Sequence, residues 1–360
     1  MTFKTQRTVS RFVAAAAFVL LSFVSLAGAA VAADGHVITD QLGRTVRIPP
    51  KVERVVCLQH HTLNIILELG RGDKLVGVVE KWQGLLGDYI AKVYPRLKAL
   101  PTPGGLNEIN VEAIASLRPD VVFVAHQLPK PFIEKLEKLG IPIVILSFYI
   151  ADREQASTIH PDLVDPEAAY AQGLPQAIRL IAQVVDAEKR GEELIAFINE
   201  SRTLVQKTLK GIAPKDHVRV YMANPDMYTY GTGKYTGVAM NRAGAHNVAE
   251  AVKGYKQVNI EQIVKWDPEV IFVQSRYASV LDQIKKDPAW RGISAVKKGR
   301  LLIAPEYTKP WGHPCPESMA LGELWLAKQF YPKRFAKIDV DAMVQKFYKK
   351  FYGVDYKSTL

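Results

Sequence analysis

Residues Asn110 to Val124, NVEAIASLRPDVVFV, recur 149 positions later as Asn259 to Val273, NIEQIVKWDPEVIFV, with seven of the fifteen positions identical. A duplicated segment must serve the same local structure twice, so this repeat constrains the fold more than any overall property of the chain. Each copy reads as an asparagine at a helix N-cap, a glutamate in the first turn, an apolar helix face, a proline that stops it, and a buried strand of Val, Ile and Phe. Each half is therefore α/β. Two such Rossmann-like lobes, built on mainly parallel sheets and facing one another, leave a ligand cleft where the C-terminal strand ends meet.

The first 33 residues carry Lys4, Arg7 and Arg11 and no acid, then an apolar stretch from Phe12 to about Ala27, then Ala30-Val31-Ala32-Ala33. That order reads as a secretory signal rather than a membrane anchor. No cysteine lies near the cleavage site, which argues against a lipoprotein, so export into a periplasm is expected. Cleavage removes three of the 47 basic residues and none of the 36 acidic ones, so a positive excess of eight survives. Lysine is spread along the whole chain, which fits a solvated basic surface. No nucleic-acid module is present. Two cysteines are too few for a disulfide scaffold, and their settings differ: Cys57 sits in the strand RVVCL and Cys315 in the irregular PWGHPCPES. Neither belongs to a C-x-x-C pair, and a structural zinc site has no support.

The chain divides into a signal (1–33), a first α/β lobe (34–175), a connecting helical segment (176–210) and a second α/β lobe (211–360). Val37 to Pro50 alternates like a hairpin turning at Leu42-Gly43-Arg44. Strands are expected at Arg54–Leu58, Lys74–Val79 and Ile141–Leu146 in the first half, and at Val218–Met222 and Leu301–Ala304 in the second. Asp152 to Leu174 is polar, interrupted by Pro161 and Pro166, and reads as an insertion that is either a lid or a surface loop. From Gln176 the pattern is helical, with a break near Asp186 and one long helix from Ala187 to Leu209.

In order and spacing these parts resemble the helical-backbone (class III) substrate-binding proteins of ABC importers, the group that handles ferric siderophores, haem and cobalamin. The resemblance spans nearly all of the chain after the signal and rests on DQLGRTVRIP with RVVCL, the two repeat copies, and AGAHNVAE at Ala243 to Glu250. It implies a monomeric periplasmic receptor and an inner-membrane ABC permease as partner. It also implies that an exposed glutamate on each lobe docks on that permease, the matching positions being Glu112 and Glu261. Read without the resemblance, a glutamate behind an asparagine N-cap complements the helix dipole.

Residues at the strand exits are the candidates for the cleft: Gln59, His60, His61, Trp82 and His126 from the first lobe, and Tyr228, Tyr230, Arg276, Tyr277, Tyr307, Trp311, His313 and Cys315 from the second. His60 and His61, if extended, point to opposite sides, so one of them is expected to reach ligand. Arg276 suits a bidentate contact with a carboxylate or catecholate. The tyrosines of MYTYGTGKYTG offer flat surfaces with polar tips. That run lacks both the Walker and the G-x-G-x-x-G pattern. His313 and Cys315, two apart, share a side if the proline-rich strip is extended, and with His60 they are the candidate metal ligands.

The leading expectation is a non-catalytic receptor for an iron complex, a ferric siderophore or haem, with no intrinsic cofactor and a metal chelate as ligand. Cobalamin, a nickel chelate and an oxyanion such as molybdate are the alternatives. A periplasmic metal-dependent enzyme is a remote one, since no triad, nucleophile elbow or metalloprotease helix is present.

Overall fold

The computed structural model describes residues 35–357; the expected secretory segment lies outside them. Among the described residues, no helix is long and apolar enough to cross a membrane. The chain opens with the expected hairpin, β1 (His36–Thr39) against β2 (Thr45–Ile48). Asp40 accepts from the Leu42 and Arg44 amides to fix its turn, and from the Ile145 amide to hold it on the first sheet.

That sheet contains β3 (Val55–Cys57), β4 (Leu75–Val78), β5 (Val121–Ala125) and β6 (Ile143–Leu146), all parallel in the order β4-β3-β5-β6. The second half contains β7 (Val218–Met222), β8 (Tyr228–Tyr230), β9 (Ala245–Asn247), β10 (Tyr255–Gln257), β11 (Val270–Gln274) and β12 (Leu301–Ala304). Four of these form a second parallel sheet, β12-β11-β7-β9, while β8 and β10 pair antiparallel beside it. The tyrosine- and glycine-rich run after β7 therefore contains a strand.

The repeat occupies equivalent places. Asn110 accepts from the Ala113 amide at 2.8 Å, and Asn259 forms a reciprocal capping box with Gln262. The helices end at Ser116 and Trp266, and in each copy the residue directly before the proline, Arg118 (φ 46°) or Asp267 (φ 41°), is left-handed, so the hydrogen-bond ladder ends before proline is reached. The following strands are central in their sheets and alternate identically. Val121 and Phe123, like Val270 and Phe272, enter one core shared by both lobes, while Val122 and Val124, like Ile271 and Val273, enter separate outer clusters.

Two helices, Pro166–Val184 and Glu188–Leu209, run through that shared core and are separated at Asp186, whose φ is 57°. The break and the second helix match the sequence reading. The first helix starts earlier than expected: Asp165 caps it, Pro166 fits the first turn where no amide partner is needed, and Pro175 is carried inside it. The boundary drawn at 175/176 thus falls within a helix. Gly173 of that helix lies against the Tyr149 backbone, where a Cβ would stand 2.2 Å from the Tyr149 Cα, so this position admits only glycine.

Candidate functional site

The C-terminal ends of the two sheets bring together side chains far apart in sequence. After β3 the chain enters the helix His60–Glu68 at once, with Gln59 as its N-cap. Both histidines therefore sit in a helical first turn, not in an extended exit loop. Successive residues there diverge by about 100° rather than 180°, so His60 and His61 lie together, ring centroids 4.0 Å apart, and both are buried. Gln59 serves as scaffold, donating to the Leu146 carbonyl and accepting from Thr62.

His126 follows β5, and its Nε2–H donates to the Thr158 carbonyl at 3.1 Å. From the loop after β12, Trp311 lies edge-on to His60 and His61 at 5.3 and 5.2 Å. His313 approaches His61 and His126 at 5.8 and 5.2 Å and stacks on Tyr149 at 5.8 Å. Tyr149 and Phe148 come from the exit of β6, and Tyr170 from the connecting helix closes the cluster behind Tyr149. Both lobes thus supply one aromatic and imidazole nest.

Its electrostatics are unusual. His60 Nδ1, His61 Nε2, His126 Nδ1 and His313 Nδ1 are buried with no hydrogen-bond partner among the described residues. Burial, reinforced by Arg276 and Lys309, pushes His60 down to about 3. Burial, reinforced by Lys234, takes His126 to about 4, and His61 and His313 are likewise held well below the usual imidazole range. All four rings are neutral at pH 7, each with one N–H and one acceptor nitrogen. Beside them lies Lys234, 5% exposed, brought by burial to about 8, and in no ion pair among the described residues.

Trp311 also walls an open cleft of about 270 Å³ between the lobes. First-lobe residues Gln83 to Asp88 line one side, and Gln274, Ser275, Arg276 and the loop from Pro305 to Trp311 the other. Arg276 is exposed there, over the Tyr277 ring at 5.0 Å, and its Nη1 reaches the Gly84 carbonyl at 3.4 Å.

Other expected site residues are placed elsewhere. Trp82 opens a short helix and is buried in the shared core; Tyr307 packs edge-on against Tyr356 at 5.5 Å. Tyr228 and Tyr230 enclose Tyr255 at 5.1 and 4.6 Å, and Tyr230 also borders Gly312 beside the nest. Cys315 does not join His313. The strip bends at Gly312 and His313, and Cys315 turns into the protein, fully buried, its thiol pushed well up by burial and by Glu317. Among the described residues no three His, Cys, Asp or Glu converge to hold a metal ion, so the set His60, His313 and Cys315 is not assembled. Cys57 and Cys315 are both free.

Four participants were missed from the sequence: Phe148, Tyr149, Tyr170 and Lys234. The strand-exit rule applied to β6 would have found the first two. Behind the nest lies a second buried group the sequence did not announce. Lys309 contacts Glu317 and, at 2.5 Å, Asn64, and Tyr352 donates to Glu317 at 2.6 Å, which locks the His60 helix to the second-lobe loop.

Residues 55–308 match the family described as periplasmic binding protein. The chain belongs to that family. Its structural neighbours are class III periplasmic binding proteins of ABC importers, which agrees with the resemblance read from the sequence. It is 44% identical over 338 residues to the molybdate-binding protein MolA of Haemophilus influenzae, covering 94% of each chain. A structure of MolA bound to molybdate superposes with a TM-score of 0.87, covering 90% of this chain and 99% of that one. The Fe(3+)-citrate-binding protein YfmC of Bacillus subtilis is 26% identical over 276 residues, covering 75% of this chain and 78% of its own. These relatives are substrate-binding transport proteins, and the family implies a binding role.

Proposed function

We propose that this chain is the periplasmic receptor for a small tetrahedral oxyanion of the molybdate class, which it delivers to an ABC permease. The carrying observation is the nest itself: neutral imidazoles with unpartnered ring nitrogens around a buried lysine that has no acid. Neutral N–H donors and one ammonium suit a compact dianion in a dry site, where charge-assisted hydrogen bonds are strong. Likeness to MolA supports the oxyanion over the iron complex expected first. Exposed Glu112 and Glu261, one behind each repeated N-cap and neither in an ion pair among the described residues, are the proposed permease contacts.

Titration calorimetry of the purified protein with molybdate, tungstate, sulfate, ferric citrate and haem tests the reading. Saturable one-to-one binding of molybdate or tungstate is expected, with ferric citrate and haem at least tenfold weaker. Tighter binding of either iron compound would replace the oxyanion with the iron complex.

A further inference from the structure

Residues 157–165, within the stretch read as lid or surface loop, cross from one lobe to the other above the histidine nest. On the first-lobe side the Thr158 carbonyl accepts from His126 Nε2 at 3.1 Å and from the Tyr149 hydroxyl at 3.0 Å. On the second-lobe side Lys234 Nζ donates to the Ile159 carbonyl, and Asp162 pairs with Lys253 at 2.7 Å. Gly233 and Gly254 allow the close approach: a Cβ on Gly233 would stand 2.7 Å from the Pro161 carbonyl, and one on Gly254 2.6 Å from the His160 ring. Tyr170, just beyond this segment, donates to the Gly233 carbonyl at 3.0 Å.

Two of these contacts use donors that the nest needs for a ligand. The Ile159 carbonyl holds the ammonium of Lys234, and the Thr158 carbonyl holds the N–H of His126. A backbone carbonyl carries only a partial charge, so a dianion is the stronger acceptor for both. The Lys234 stem runs beside Gly312, where a Cβ would stand 3.4 Å from its Cδ, so a short swing of the ammonium stays within the nest.

We propose that Lys234 is the specificity-determining charge of this site, and that residues 157–165 compete with the anion for it, so that ligand binding unlatches the lid. The proposal rests on the oxyanion reading above. It also accounts for a buried lysine without an acid among the described residues: the Ile159 carbonyl accepts from its ammonium.

The test combines calorimetry with molybdate and hydrogen exchange across 157–165 on the full mature chain. In K234M, which keeps the aliphatic volume, molybdate affinity is expected to fall on the order of 10- to 100-fold, the range for a lost hydrogen bond to a charged group. Exchange at 157–165 in the unliganded variant should rise to the level of the molybdate-bound wild type. K234R keeps the charge and should recover most of the affinity, which a purely structural role would not require. D162N breaks the exposed pair with Lys253 and should speed exchange and raise molybdate affinity; a lower affinity overturns the competition. Wild type that binds molybdate with K234M binding equally well overturns the Lys234 assignment alone. Molybdate that slows exchange at 157–165 overturns the competition. Wild type that binds no oxyanion overturns this proposal together with the functional reading beneath it.

Discussion

Two buried lysines stand on either side of the histidine cluster and have opposite surroundings. Lys309 is 2% exposed and held by Glu317 and Asn64; burial pulls its ammonium down, but Glu317, Cys315 and Glu68 together outweigh this and keep it above its usual value. Lys234 is 5% exposed, meets one backbone carbonyl, and burial brings it to about 8. The first charge is compensated within the fold and locks the His60 helix to the loop carrying Trp311. The second is compensated by nothing the fold supplies in full, and a binding site has that character. A buried charge with its counter-charge is scaffold, and one without it awaits a partner from outside.

The sharpest way to break this comparison is to remove the counter-charge of the scaffold lysine. Glu317→Gln takes away the carboxylate that contacts Lys309 and leaves only Glu68 nearby as a counter-charge, and an expected loss of up to about 3 to 5 kcal/mol in chemical denaturation follows. Lys234→Met should cost no stability, since it removes an uncompensated charge. Equal effects on stability from the two substitutions would erase the distinction.

Acid titration probes the nest with a smaller effect per histidine and per pH unit. His60 at about 3 and His126 at about 4 lie below the ordinary 6.5, so the unfolded chain takes up protons first as the pH falls. Stability should be full above about pH 6.5 and decline below it toward those folded values, by up to about 1.4 kcal/mol per pH unit for each such histidine. Bound anion raises these pKa values, so molybdate affinity should increase from pH 7.5 to 6, with proton uptake visible in buffers of different ionisation enthalpy. Affinity should also weaken above pH 8 as Lys234 loses its proton. A flat affinity profile from pH 6 to 9 would remove the nest from the binding step.

The smallest effect on the isolated protein concerns charges of a third kind, exposed and without an ion pair among the described residues. Reversing Glu112 and Glu261 to lysine should cost only about 0.3 to 1 kcal/mol each, by opposing the helix dipole. Ligand affinity should hold while permease-dependent uptake is lost. Reduced molybdate affinity in the double variant would show that these positions act on the cleft instead.

Much of this was legible in the chain before folding. Strand exits named His60, His61, His126, Trp311 and His313, because parallel strands carry ligands at their C-terminal ends whatever the ligand is. The same rule misplaced Tyr307 and Cys315, since a proline-rich strip gives no sign of where it bends. It missed Lys234, which looks in sequence like one more surface lysine in a glycine-rich loop. The two histidines were read as extended, though the helix begins on the first of them.

The sequence by itself determined the duplicated α/β lobes, the buried strand that follows each repeated helix, the helix break at Asp186, and the exposed glutamates. All follow from local pattern: caps, periodicity and left-handed turns act within a few residues. Only the tertiary structure decided which charges are compensated. Lys309 and Asn64, or Lys234 and Ile159, meet only after both lobes have folded on their shared helices, and burial then shifts the ionisation of each group by an amount no local pattern contains.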